Sequence, residues 1–273
     1  MCRHLAYLGP PRPLRDVVLT PPLGLMRQSY VPRDMRGAGN VNVDGFGVGW
    51  YPGAGAGTTD PVRYRGGRPI WADESFAQIA AVTSSGAVLA AVRSASEGMP
   101  VVHTACAPFT TGRWLFSHNG SVTGWPHSMA DLAATIPVTD LLTLDAATDS
   151  ALLWAVLRRR LDDGAQPEEA LAGLVTAVAA AAPGSRLNLL LTDGETVWGT
   201  TWGHALNTLA EPDGVTVASE SLDERAGWEE VPEGYVITAT ANTGVRGRAI
   251  EPCEYSDAAD RSESPRAQRQ GVS

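Results

Sequence analysis

Residues 1–9 read MCRHLAYLG, and the interpretation of the whole chain turns on Cys2. An aminopeptidase usually removes Met1 when a small residue follows, which would leave a thiol and a free α-amine on one residue. A thiol ordinarily titrates at about 8.5 and an α-amine at about 7.7–8.0, so near neutrality the amine can take the thiol proton at little cost. An N-terminal cysteine is then its own nucleophile and base, the pairing used where a terminal amine activates a side chain for acyl transfer. The stretch also has a plainer reading. RHLAYLG alternates in part, lacks helix signals and suits a strand that begins with a small buried thiol.

Working outward, a loop rich in Pro and Arg runs from Gly9 to Asn42, followed by the apolar run GFGVGWY and the turn-rich PGAGAGTTD. Strand-like PVRYRGG, AVLAAVRSAS and RWLFSHNG follow, with a short helix predicted within DESFAQIAAVTSS. From Thr148 to Leu161 the apolar positions Ala151, Leu152, Ala155, Val156 and Leu161 form a helical stripe. Thr148 or Asp149 starts that helix, and Arg158, Arg159 and Arg160 suit its last turn. A second helix is expected from Pro167 to a stop at Gly184. LNLLLTDGETVWGTTWG then reads as a hairpin whose Asp193-Gly194 supplies two positive φ angles. VTVAS and YVITAT are further strands, and the polar segment Ser256 to Ser273 is expected to stay disordered. Strands, two consecutive helices and strands again point to an α+β protein with antiparallel sheets rather than a doubly wound parallel one.

At 273 residues one domain is expected, spanning residues 2–255, with 256–273 as a tail. The net charge of −9 argues against nucleic acid as a partner, and all 21 basic residues are arginine. The longest apolar stretch, LVTAVAAAA from Leu174 to Ala182, is far short of the roughly 18 residues a membrane span needs. With no signal-peptide pattern ahead of Pro10, Pro11 and Pro13, the expected location is the cytoplasm. Cys2, Cys106 and Cys253 are too few and too widely spaced for a disulfide framework or a metal site. His4, His103, His118, His127 and His204 show no ligand spacing, so neither a metal nor a cofactor is expected. GFGVG at 45–49 resembles a phosphate loop only superficially, since WYPGAGAG follows it rather than a helix. Its glycines suit close strand packing instead.

Several stretches have a structural and a chemical reading at once. Asn119 and Gly120 in SHNG could form a plain turn, or could donate from a side-chain amide and a backbone N–H to an oxyanion. Arg93, at the end of an apolar strand, could pair with a structural acid or grip a carboxylate with both arms of its fork. Asp149 could simply cap a helix.

Taken together, MCRHLAYLG, DGFGVGWY, AAVRSAS, FSHNG and ATDSALLWAVL resemble, in this order and spacing, the class II glutamine amidotransferase group of N-terminal-nucleophile hydrolases. The resemblance spans Cys2 to about Thr243. Within the group, CRHLAYLG and NVDGFGVGWY are most similar to the ergothioneine-pathway amidohydrolases that cleave γ-glutamyl-hercynylcysteine sulfoxide. The resemblance implies a four-layer αββα sandwich of two antiparallel sheets, with Cys2 as nucleophile and Asn119 and Gly120 as the oxyanion hole. It also maps Arg93 onto the glutamyl carboxylate site, Ser96 onto a neighbouring hydroxyl position and Asp149 onto the glutamyl ammonium site. Relatives often carry His two residues before the Arg; Ala91 stands there, as in the ergothioneine branch. The implied substrate is a small γ-glutamyl amide, with no chain length left for a synthase domain. Tyr30 or Trp125 are candidates to receive a trimethylammonium leaving portion, and the loop from Met26 to Asn42, with Arg27, Arg33 and Arg36, is the expected seat of specificity. A glutaminase subunit serving a separate synthase and a non-catalytic binding protein on the same fold are the alternatives. No protein partner can be read from the sequence.

Overall fold

The computed structural model describes residues 2–33, 41–53 and 60–251. Thirteen strands occur among them: β1 (Arg3–Pro13), β2 (Phe46–Trp50), β3 (Val62–Gly66), β4 (Ser84–Val92), β5 (Phe109–Thr111), β6 (Trp114–Ser121), β7 (Arg186–Thr192), β8 (Thr196–Thr200), β9 (Asn207–Glu211), β10 (Gly214–Ala218), β11 (Trp228–Glu230), β12 (Tyr235–Thr240) and β13 (Gly244–Ala249). The α-helices are α1 (Leu14–Val18), α2 (Leu25–Gln28), α3 (Glu74–Val82), α4 (Ala130–Ala133), α5 (Val138–Leu142), α6 (Asp149–Asp162) and α7 (Pro167–Ala181).

The strands form a seven-stranded sheet, in the order β11-β9-β10-β1-β4-β2-β3, and a six-stranded sheet, in the order β13-β12-β8-β7-β6-β5. Every ladder in both is antiparallel. Strand β1 shows why the layers form. Leu5 and Tyr7 join a core with Leu14, Val18, Phe76 and Ala80 of α1 and α3, whereas Ala6 and Leu8 join a second core with Leu115, Leu190 and Ile237 of the other sheet. Period-two alternation thus feeds two cores from one strand. A third core packs Phe116, Leu189 and Leu191 against Leu153, Leu157, Leu171 and Val175 of α6 and α7. The result is helix, sheet, sheet, helix, the four-layer αββα architecture expected.

The long loop expected after Gly9 begins later than the sequence suggested. Strand β1 continues past a register shift between Leu8 and Arg12, pairing Arg12 with Ser85 and Pro13 with Ser84. Prolines are tolerated there because the irregularity interrupts the ladder, which needs fewer N–H donors. Helices α1 and α2 then occupy part of the stretch.

The Asp193-Gly194 turn also differs. Thr192 pairs with Val197, leaving four residues between them, and of Asp193 and Gly194 only Gly194 has a positive φ, at 94°. Asp193 instead accepts from the backbone N–H groups of Glu195 (3.1 Å) and Thr196 (2.9 Å), folding the turn through its carboxylate.

In β2 the glycines permit close approach. A Cβ on Gly47 would lie 2.3 Å from the Ala107 carbonyl oxygen, and one on Gly49 would lie 2.7 Å from Leu115 Cδ1.

Candidate active site

Cys2 heads β1, a central strand of the seven-stranded sheet, and is partly exposed. The β1–β4 register pairs Arg3 with Val92, so its continuation sets Cys2 opposite Arg93. The Cys2 thiol points toward the Ser94 carbonyl oxygen, 3.7 Å away. Cys2 and Arg93 line one small cavity with Ala91, Cys106, His118 and Ser150. Its volume is about 20 Å³, room for about one water.

Arg93 is buried and its Nη1 donates to the Pro100 carbonyl oxygen at 2.9 Å. Its main chain is clamped on both sides: its N–H donates to Gly45 O at 2.8 Å, and its carbonyl accepts from Asp44 N–H at 3.0 Å. The Asp44 carboxylate then accepts from Ala95 N–H at 2.7 Å, fixing the exit of β4 beside the thiol. Ser96 follows there, and its carbonyl accepts from Met99 N–H.

Asn119 and Gly120 lie within β6 rather than in a turn, paired with Asn188 and Leu187 of β7. The turn reading of SHNG therefore fails. Alternation sends Ser117 and Asn119 toward the seven-stranded sheet, where Ser117 Oγ meets His4 Nδ1 at 3.1 Å and Asn119 Nδ2 donates to Ser219 Oγ at 3.2 Å. His118 points the other way. Its Nε2 donates to Arg186 O at 2.9 Å, which leaves Nδ1 to accept from Ser150 Oγ at 2.9 Å.

Asp149 is buried at the first position of α6. Thr148 makes the cap, accepting from Ala151 N–H at 3.2 Å. The Asp149 carboxylate receives Ser150 N–H at 2.7 Å and, from beyond the end of β6, Val122 N–H at 3.0 Å. Asp149 thus ties the helix start to the strand that carries Asn119 and Gly120. Asn119, Gly120 and Asp149 do not line the Cys2 cavity themselves; their chain neighbours His118 and Ser150 do.

Two further groups shape the local field. His4 is pushed down to about 3, first by burial and then by His118, His204 and Arg3, so it is neutral near pH 7. Burial pushes the Cys106 thiol up to about 11, so it stays protonated. The charge on Arg3 is balanced, because its Nε meets Glu220 Oε1 at 2.7 Å in a buried pair, and its Nη1 donates to the Cys2 carbonyl oxygen at 2.9 Å.

Of the expected specificity residues, Tyr30 stands edge-on to Trp71 with ring centroids 5.6 Å apart, and Trp125 packs against the helical core. Arg33 pairs with Glu224, and its N–H donates to Glu220 Oε2 at 2.8 Å. Met1, Arg36, Cys253 and the 256–273 tail lie outside the described residues. Sequence reading missed Cys106, His118 and Ser150 as cavity walls and Ser219 as the partner of Asn119. For His118 the signal was present in SHNG; for the others nothing local marks them. Among the described residues no cluster of three His, Cys, Asp or Glu is placed to hold a metal, and no helix is long and apolar enough to cross a membrane.

Two stacked antiparallel sheets between helical layers, with a thiol at the head of a central strand, define the class: the N-terminal-nucleophile fold of the amidotransferases. A structure described as a glutamine aminotransferase class-II domain protein from Silicibacter pomeroyi superposes with a TM-score of 0.66 at 25% identity, covering 92% of this chain and all of that one. Glutamine phosphoribosylpyrophosphate amidotransferase from B. subtilis shares the fold at 13% identity, with a TM-score of 0.63 over 92% of this chain and 49% of its own. Residues 27–212 match the family described as glutamine amidotransferases class-II. The chain belongs to that family. A relative named gamma-glutamyl-hercynylcysteine sulfoxide hydrolase, from Mycolicibacterium smegmatis, is 40% identical over 237 residues, or 87% of this chain and 95% of that protein.

Proposed function

We propose that this chain is a γ-glutamyl amidohydrolase of the cytoplasm, acting within residues 2–255 on γ-glutamyl-hercynylcysteine sulfoxide and releasing glutamate and hercynylcysteine sulfoxide. One observation carries the reading: Cys2 and Arg93 wall the same cavity, which puts a nucleophile beside a cation suited to a carboxylate. The 40% identity to the hydrolase of that name over nearly its whole length supports the choice of substrate.

Removal of Met1 frees the α-amine of Cys2, which takes the thiol proton as sulfur attacks the γ-carbonyl. Asn119 and the Gly120 N–H stabilise the oxyanion. The amine leaves with a proton, and water hydrolyses the thioester to glutamate and the free thiol. Arg93 and Asp149 hold the two charged ends of the glutamyl head, and Ser96 contributes a hydroxyl nearby. A cavity of about 20 Å³ does not hold a glutamyl chain, so its walls must widen on binding; Arg93 spends one N–H on Pro100 O and keeps its other donors for a carboxylate. On the other flank of β1 a groove of about 380 Å³, bordered by Arg33, Asn207, Ser219 and Glu230, has room for the leaving portion.

Intact mass establishes whether Met1 is gone, and glutamate release is then compared between γ-glutamyl-hercynylcysteine sulfoxide and glutamine. The sulfoxide is expected to be the better substrate, and Cys2→Ala is expected to abolish release while circular dichroism stays unchanged. Turnover retained by Cys2→Ala would remove the mechanism. Glutamine turned over equally well would instead favour a glutaminase.

A further inference from the structure

The Asn119 amide has two buried ends with different fates. Nδ2 donates to Ser219 Oγ at 3.2 Å, whereas Oδ1 is buried with no hydrogen-bond partner among the described residues. An oxyanion needs a donor, so the present orientation holds the useful end against Ser219 and leaves the acceptor end unmatched. Ser219 itself is buried and joined to the nucleophile strand. Its Oγ accepts from His4 N–H at 3.0 Å and donates to His4 O at a long 3.3 Å, two residues from Cys2.

A half-turn of the Asn119 amide exchanges its ends. Oδ1 then faces Ser219, and Nδ2 takes the place of the unpartnered atom. A hydroxyl serves both orientations, accepting in the first and donating in the second, and its proton is cheaply given up because the bond to His4 O is long.

We propose that Ser219 is a positioning residue for hydrolysis: its hydroxyl lets the Asn119 amide turn so that Nδ2 meets the oxyanion, and it locks that orientation to the backbone of the strand bearing Cys2. The proposal rests on Asn119 acting as an oxyanion donor. No bond to substrate is made by Ser219 in this role.

The full-length parent, Ser219→Ala and Ser219→Cys, each with Met1 removed, are assayed for glutamate release from γ-glutamyl-hercynylcysteine sulfoxide, and the parent and Ser219→Ala also for the rate at which iodoacetamide alkylates Cys2. For Ser219→Ala the expected result is a kcat lower by about 10- to 100-fold, a KM within about threefold and an unchanged alkylation rate. That pattern separates a lost oxyanion donor from a disturbed nucleophile. Should Ser219→Ala fail to fold, Ser219→Cys decides, since a thiol is a weak donor of nearly the same shape and its kcat is expected to fall at least about fivefold. Parent-like kcat in the folded variant, or an equal loss of alkylation and turnover, overturns the proposal. If the parent releases no glutamate, the underlying functional reading falls and this proposal with it; turnover indifferent to position 219 overturns this proposal alone.

Discussion

Gly120 illustrates how tightly a single residue is specified between paired strands. A Cβ there would lie 1.8 Å from the Arg186 carbonyl oxygen and 2.6 Å from His118 Nε2. The first of these is backbone in the paired strand β7 and cannot swing aside. Gly120→Ala is therefore expected to cost about 3 kcal/mol or more, lowering Tm by about 6–12 °C in a thermal scan. A variant melting like the parent would show that β6 and β7 can separate locally. Cys2, Arg93 and the Asn119-Gly120 pair stood out as candidates in the sequence because each sits in a short stretch whose order and spacing are distinctive; the structure brings Cys2 and Arg93 to one cavity and sets the Asn119-Gly120 pair in β6. Ser219 and Cys106 did not stand out, because their importance comes from contacts with residues 119 and 2, about a hundred positions away along the chain. No local pattern encodes such a meeting.

Helix α6 shows what an element contributes beyond its residues. Thr148 is buried and caps it, while Asp149 reaches across to Val122 N–H, so the helix start is stitched to the end of β6. Thr148→Ala is expected to cost about 1 kcal/mol, seen as a Tm lowered by about 2–4 °C. Fluorescence-monitored melting of both proteins checks it, and an unchanged Tm would mean that Asp149 alone suffices as the cap. The sequence marked α6 and α7 well, since an apolar stripe, a capping residue and a first-turn proline are local signals. It marked the short strands β5, β9, β11 and β13 poorly, because runs of three to six residues carry too little periodicity. The hairpin at Asp193-Gly194 was found but mistyped: the carboxylate of Asp193 folds the turn, so only one residue needs the left-handed conformation.

For the molecule as a whole, the interface between the sheets sets the response to acid. His4 lies within it, bonded to Ser117; burial first, and then the charges of His118, His204 and Arg3, keep it neutral down to about pH 3. The unfolded chain takes up that proton near pH 6.5, so stability is full above about pH 6.5 and declines as pH falls toward 3, by up to about 1.4 kcal/mol per pH unit. Denaturant midpoints are expected to fall between pH 7 and about pH 5.5, above the range where ordinary carboxylates titrate, and to fall less in His4→Gln. Equal acid sensitivity of the two proteins would assign the effect elsewhere. The αββα plan was foreseeable from the order of strands and helices together with the family resemblance. The polar seam between its sheets was not, since His4, Ser117, Asn119 and Ser219 lie far apart in sequence. Glu220 closes that seam at one edge, with one carboxylate oxygen on Arg3 and the other on the N–H of residue 33, while Asn42 is fastened to Ser29 and Gln28. Residues 33 and 42 are thus fixed posts anchored to the body of the enzyme. A substitution that removes the Glu220 carboxylate would therefore release residue 33 and the strand behind Cys2 together.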